Sequence, residues 1–320
     1  MKKKRRLKKK VLYFLIGFII LVILIFSGIK YIKYINSNPY KLKKLGYSEE
    51  QTEIILNLKD KYIEEILKMD FNKNYTKFMK EEYFLFKNLN QYVEYYNKNK
   101  KDKISHIISI VNTKANNEWY NEDTVKNTDM SKGDLILVNK FNQLKENYTP
   151  EDIVTISNYY SYADNSIVKK VYEAYKNMWY AAKEEDLTLI VTSSYRDYKT
   201  QETLWNQYAD RNGEKWADSV SARAGFSEHQ TGLTLDIVTY NTIMNDFENT
   251  DEFKWLQKNA HKYGFILRYP KDKEDITGYA YESWHYRYVG VDVATSIHEK
   301  NITFDEYYAY YIEGDLWKNY

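Results

Sequence analysis

The stretch "GFSEHQTGLTLDIV", Gly225–Val238, joins a histidine in a glycine-flanked turn to an apolar run with an aspartate in its middle. Leu233, Leu235, Ile237 and Val238 read as a strand. Asp236 sits inside that strand, seven residues after His229. A buried, unpaired carboxylate costs roughly several kcal/mol, so this position requires a cation or a set of donors. The rest of the chain must supply one.

The chain has five histidines, and two of them keep the company that metal chemistry needs. His229 has Asp236, and His285 ends "ESWH" with Glu282 three residues earlier. Zinc accepts imidazole nitrogen and carboxylate oxygen, and a catalytic zinc uses three protein ligands and keeps one position open. His229, Asp236 and His285 fill that set. "WHYRYVG" reads as a strand, in which Glu282 and His285 would face opposite sides if it began at Glu282. The two meet one metal only if the chain turns near Ser283 and the strand starts at about Trp284. A carboxylate beside the metal's open position, not ligating it, is placed as a general base. Arg196 ends a strand in "SSYRDYKTQ", where it is either salt-bridged or a bidentate clamp on a substrate carboxylate or developing charge. Gln201, one helical turn on, shares that face. His261 suits a helix C-terminus, and His106 and His298 have no evident partner. Ser-x-x-Lys occurs at 27–30 and 166–169 with no Lys-Thr-Gly after it, and Gly-x-Ser-x-Gly, His-Glu-x-x-His and Gly-x-Gly-x-x-Gly are absent.

The 320 residues suffice for one large domain or two modest ones. The net charge of +2 hides an asymmetry, because residues 2–10, "KKKRRLKKK", carry eight basic side chains. Without those eight, 39 basic residues face 45 acidic ones, so no nucleic-acid surface is expected. Next come 19 residues without a charge, Val11–Ile29. As a helix they span roughly 28 Å, close to the hydrocarbon core of a bilayer. The expectation is a single-pass signal anchor with the basic tail inside and everything from about residue 30 outside. The absence of cysteine excludes disulfides, thiolate ligands, a cysteine nucleophile and an N-terminal lipidated cysteine.

Between the anchor and the site, Ser48 and Gln51 have capping-box spacing, and Ile54, Ile55, Leu58, Tyr62 and Ile66 recur at helical intervals. A helical stem is expected to about Lys100. Short strands are predicted over Ile104–Thr113 and Asp134–Lys140, and a helix over Ser166–Asp186 with Val168, Val171, Tyr175, Met178 and Trp179 inward. "LTLIVTSS" predicts a strand, 200–209 a helix, Thr250 a cap for a helix ending at Gly264, and "FILRYP" a strand. The fold class is α+β, a small, mainly antiparallel sheet flanked by helices.

Four of these stretches, "SSYRDYKTQ", "GFSEHQTGLTLDI", "YGFILRYP" and "ESWHYRYVG", resemble in order and spacing the VanY-like D-alanyl-D-alanine carboxypeptidase family, zinc peptidases that trim peptidoglycan stem peptides. The resemblance covers roughly Asp134 to Ile312. It implies a Hedgehog/DD-peptidase-like fold, one Zn2+ per chain on His229, Asp236 and His285, and Glu282 as the base. It makes Arg196 the residue that meets the substrate carboxylate or oxyanion, and it places Gln201, Ser227 and Tyr269 along the peptide pocket. Ala224 and Ser283 stand where the family usually has proline, and Ser194 where glycine is frequent; no ligand is affected. The expected organisation is a cytoplasmic tail (1–10), an anchor (11–29), a stem (30–130) and an extracellular zinc carboxypeptidase domain (131–320) without a signal for an oligomeric state. The expected activity is removal of the terminal D-alanine across a D,D or L,D bond of a stem peptide. The rivals are an endopeptidase with the same zinc site and a non-catalytic, zinc-stabilised wall-binding module.

Overall fold

A computed structural model describes residues 2–240, 242 and 244–314, with side chains from residue 8 onward. Met1 and the last six residues of the expected catalytic domain lie outside the described residues. The chain divides into two compact units, one up to Ser105 and one from His106 onward.

The first unit opens with helix α1, Lys2–Ile35. From Lys8 to Ile35 its most apolar window has a mean hydropathy of 2.9, long and apolar enough to cross a membrane. Short helices follow. Ser48 caps the one at Glu49–Leu56 as its spacing predicts: its Oγ accepts the Gln51 N–H at 3.2 Å, and the Gln51 side chain accepts the Ser48 N–H at 3.1 Å. The periodic run from Ile54 to Ile66 breaks at 57–59 into two helices, Glu49–Leu56 and Asp60–Ile66. Ile55, Ile63, Ile66, Phe78, Phe84 and Leu89 are buried there.

The second unit is built on a four-stranded antiparallel sheet of β1 (Ile190–Ser193), β2 (Thr234–Val238), β3 (Phe265–Leu267) and β4 (His285–Tyr288), in the order β1-β2-β4-β3. Alternation gives the sheet two different faces. Leu235, Ile237, Phe265 and Tyr286 join a core with Val171, Tyr175, Met178 and Trp179 of helix α2, Lys169–Lys183. Burying each of these large side chains contributes about 1.5–3 kcal/mol. The other face carries Thr234, Asp236, His285 and Arg287, paired Thr234 with Arg287 and Asp236 with His285. Helices α3 (Tyr198–Asn212), α4 (Glu214–Val220), α5 (Asp251–Asn259) and α6 (Val291–Lys300) belong to the same unit, and Thr250 caps α5 through the Phe253 N–H.

Three expectations are corrected. Ile104–Asn112 is a helix, not a strand. Its buried residues, Ile107, Ile108, Ile110 and Val111, follow a 3–4 interval, which their β-branching masks in the sequence. Asp134–Lys140 forms no strand, because side chains take its carbonyls. The Arg287 Nη2 donates to the Asp134 and Ile136 oxygens at 2.8 Å each, and the Thr128 hydroxyl to that of Leu137 at 2.8 Å. Ser166–Val168 precedes α2 as a strand paired with Ile153–Thr155, so Val168 packs from a strand rather than a helix.

Candidate metal centre

The site begins with the turn quoted first. Glu228–Thr231 is one 3-10 turn, with the Ser227 hydroxyl accepting the His229 N–H at 3.3 Å. The flanking glycines are required by geometry. Gly225 has φ +85° and Gly232 φ +64°, and a Cβ would lie 3.0 Å from the Leu144 oxygen at the first and 3.0 Å from Pro150 and Val168 side-chain carbons at the second. The turn buries His229 and aims its Nδ1 at the Ser194 carbonyl, 2.6 Å away. That bond makes Nδ1 the donor and leaves the Nε2 lone pair free. Nε2 lies 3.5 Å from Asp236 Oδ1.

His285, the first residue of β4, stands directly across the ladder from Asp236, with Nδ1 3.4 Å from Oδ1. The chain turns at Ser283–Trp284, as the spacing requires, and brings Glu282 Oε2 to 3.2 Å from the same Nδ1. On the other side of β2, Asp236 pairs with Ser193 across a bulge, and Arg196 follows three residues later with Nη1 3.9 Å from Asp236 Oδ2. The Arg196 guanidinium is held by Ser193 Oγ at 2.6 Å and by Gln201 Oε1 at 3.1 Å. Gln201 is buried behind it, donating to the Ala222 carbonyl at 2.7 Å. Ser227 and Tyr269 line the cleft, which encloses about 370 Å3, and the Tyr269 ring packs 4.7 Å from that of His285. Leu204, Val220, Met244 and Trp284 supply its apolar wall.

The donor set fits zinc. Tetrahedral bonds of about 2.0–2.1 Å place ligand atoms roughly 3.3 Å apart, and the histidine–aspartate separations here are 3.5 and 3.4 Å. The three ligand atoms lie within 4.8 Å of one another. Asp236 Oδ1 is buried without a hydrogen-bond partner between the two imidazoles, as a metal ligand would be. The electrostatics agree. Burial would raise the Asp236 carboxyl, but His229 and His285 outweigh it and hold it well below the usual range. Burial lowers His229, with Arg196 adding to the effect, so its ring stays neutral. Burial would lower His285 too, yet Asp236, Glu228 and Glu282 outweigh it and hold it well above its ordinary value. That environment stabilises a cation. Burial pushes Glu282 up, the direction that suits a proton shuttle, and lowers Arg196 against the pull of Asp236 and Glu282.

The other three histidines lie elsewhere. His106 Nε2 is 3.0 Å from Asp275, and His261 stacks on His298 with ring centroids 3.9 Å apart. The sequence reading missed Glu228, next to His229. Its fully buried side chain accepts from Arg268 Nε and Arg287 Nη1 at 2.8 Å each, and its Oε2 lies 3.6 Å from His285 Nε2. Two arginines inside the otherwise apolar strands "FILRYP" and "HYRYV" were the signal, since each needs a buried acid.

The signature of VanY, D-alanyl-D-alanine carboxypeptidase, matches residues 164–291. YodJ of Bacillus subtilis is 42% identical over 181 residues, 54% of this chain and 66% of YodJ, just under two thirds of that relative's length. The bifunctional D-Ala-D-Ala dipeptidase and D-Ala-D-Ala carboxypeptidase VanXYC of Enterococcus gallinarum is 34% identical over 182 residues, 55% of this chain and 94% of that protein. Among solved structures, the LdcB LD-carboxypeptidase is 38% identical and superposes with a TM-score of 0.54, covering 61% of this chain and 94% of LdcB. The chain belongs to the VanY family of D-alanyl-D-alanine carboxypeptidases.

Proposed function

We propose that the chain is a membrane-anchored zinc carboxypeptidase that removes the C-terminal D-alanine from peptidoglycan stem peptides outside the membrane. One observation carries the reading: a half-buried carboxylate that is not in the ligand set, Glu282, lines the cleft 3.2 Å from His285, in the same cleft as Arg196. A purely structural site has no use for such a base.

His229 Nε2, Asp236 Oδ1 and His285 Nδ1 would hold the metal. Zinc, when bound, supplies the Lewis acidity that polarises a carbonyl and makes water a nucleophile near neutral pH. Glu282 takes the proton of the attacking water and returns it to the leaving amine of D-alanine. Its raised affinity for a proton suits both steps. Arg196 has Nε on Gln201 and Nη1 on Ser193, so Nη2 presents its N–H groups to a substrate oxygen. Gln201 and Ser193 keep the guanidinium in place before substrate arrives, which lowers the ordering cost of binding. Tyr269, Ser227 and the apolar wall shape the pocket around the terminal residue.

The organisation fits this role. Residues 1–10 form a cytoplasmic basic tail, 11–29 a single-pass anchor, 30–130 a stem and 131–320 the extracellular catalytic domain. The support is the apolar helix with eight positive charges before it. Mass spectrometry of muropeptides incubated with the zinc-loaded protein tests the activity. Loss of one alanine from penta- or tetrapeptide stems is expected. Cleavage inside the stem would make the chain an endopeptidase, and unchanged muropeptides would leave a wall-binding module.

A further inference from the structure

We propose that Glu228 is a positioning residue for the metal centre: it takes the Nε2–H of His285 and thereby commits Nδ1 of that ring to the metal. The proposal rests on the zinc reading above.

The two oxygens of Glu228 have separate surroundings. Oε1 accepts from both guanidinium groups, Arg268 Nε and Arg287 Nη1, at 2.8 Å each. Oε2 is buried with no hydrogen-bond partner, and so is His285 Nε2. These two orphans face each other at 3.6 Å, just beyond hydrogen-bond length. Two unpaired polar atoms buried side by side are costly unless they pair. A shift of the imidazole by a few tenths of an ångström, as its other nitrogen takes up a ligand, would close the bond. Nδ1 meanwhile points at Asp236 and Glu282, 3.4 and 3.2 Å away.

Glu228 cannot follow the ring, because its own position is fixed from three parts of the chain. Arg268 also donates to Asp305 at 2.6 Å, and Arg287 to the carbonyls of Asp134 and Ile136 at 2.8 Å each. Two acids and two arginines make the cluster neutral, so Glu228 acts on His285 as a hydrogen-bond acceptor with its charge already matched. With two guanidinium groups donating to Oε1, its carboxylate is left to act as an acceptor at Oε2. His229 is fixed in the opposite sense, its Nδ1 held by a main-chain carbonyl, that of Ser194, and its Nε2 left for the metal. His285 begins a strand, and its ring depends on this side chain.

Glu228→Gln separates orientation from packing. The amide oxygen can still accept from both arginines, but the –NH2 then faces Nε2 of His285. The ring must turn its lone pair that way and place the proton on Nδ1, where it blocks ligation. The full-length protein in detergent is loaded with cadmium-113 and labelled with 15N-histidine. Wild type is expected to show metal coupling to Nδ1 of His285 and a retained Nε2 proton. Glu228→Gln is expected to lose that coupling and to bind zinc roughly 10- to 100-fold more weakly in competition with a chelator. Coupling through Nε2 in wild type, or wild-type affinity and spectrum in Glu228→Gln, overturns the proposal. If the variant does not fold, the wild-type spectrum alone decides. A role confined to neutralising Arg268 and Arg287 would lower the melting temperature and leave the ligating nitrogen unchanged. Zinc held through Nδ1 without release of D-alanine would sink the functional reading and leave this one standing.

Discussion

Glu282 Oε2 lies 3.2 Å from His285 Nδ1, although the first residue belongs to a turn and the second to a strand. In a continuous strand, residues three apart point to opposite faces; the turn at Ser283–Trp284 cancels that opposition. The pair should therefore separate under mutation. His285→Ala removes one of three protein ligands and is expected to abolish zinc binding at stoichiometric metal. Glu282→Gln keeps the donor set, so zinc should stay near one per chain while D-alanine release falls about 10²–10⁴-fold. Elemental analysis beside the release assay checks both. Loss of metal in Glu282→Gln would make Glu282 a ligand, and full activity would discard it as the base.

Arg196→Lys keeps the charge but loses the planar fork held by Ser193 and Gln201. We expect kcat/KM on peptides with a free terminal carboxylate to fall on the order of 10²–10³-fold, the scale of losing one charge-stabilising donor. Zinc content should not change. Equal turnover in variant and wild type would reduce Arg196 to a structural residue.

Lys140 gives a pH-dependent prediction away from the metal. Its ammonium donates to the Asp218 carbonyl at 2.7 Å and lies 4.5 Å from the Tyr279 ring centroid, with little water around it. Burial, with Arg223 adding and Asp218 opposing, lowers its pKa to about 8. The unfolded chain holds this proton up to about pH 10.4. Between those values the unfolded state binds more protons, so stability rises with pH in that window. Lys140→Met removes the term. In denaturant titrations, the stability difference should move in favour of wild type from pH 8 to pH 10, by on the order of 1–3 kcal/mol. A difference independent of pH would mean that Lys140 stays charged throughout.

The anchor is tested by topology. A reporter active only outside the membrane, fused after Asn36, should be active. Activity of a cytoplasm-only reporter at the same junction would remove the extracellular assignment and with it the peptidoglycan substrate.

The ligands were legible because metal chemistry leaves odd residues in otherwise apolar strands. Asp236 between Leu235 and Ile237 stands out in a period-two pattern, and His285 needs Ser283 to turn. Glu228 was not legible in the same way. Its partners, Arg268 and Arg287, lie 40 and 59 residues away in the chain, and local spacing carries no trace of them. The segments misread as strands failed for two reasons. In Ile104–Asn112, β-branched side chains obscured a helical interval. In Asp134–Lys140, the Asp134 and Ile136 carbonyls are bound by Arg287, from a strand more than 150 residues on, which no window of sequence can contain.

The bulge in β1 sets the phase of that strand. Val191 pairs with Ile237 and Ser193 with Asp236, so two steps along β1 match one along β2. In strict alternation Val191 and Ser193 would share a face. Thr192 acts as a one-residue frameshift: before it the strand is written for the core, and after it for the cleft. Were the ladder regular, Thr192 would oppose Asp236, Ser193 would turn toward the core, and Arg196 would lose the hydroxyl that holds it. The position of the arginine is thus set by the phase of the strand before it.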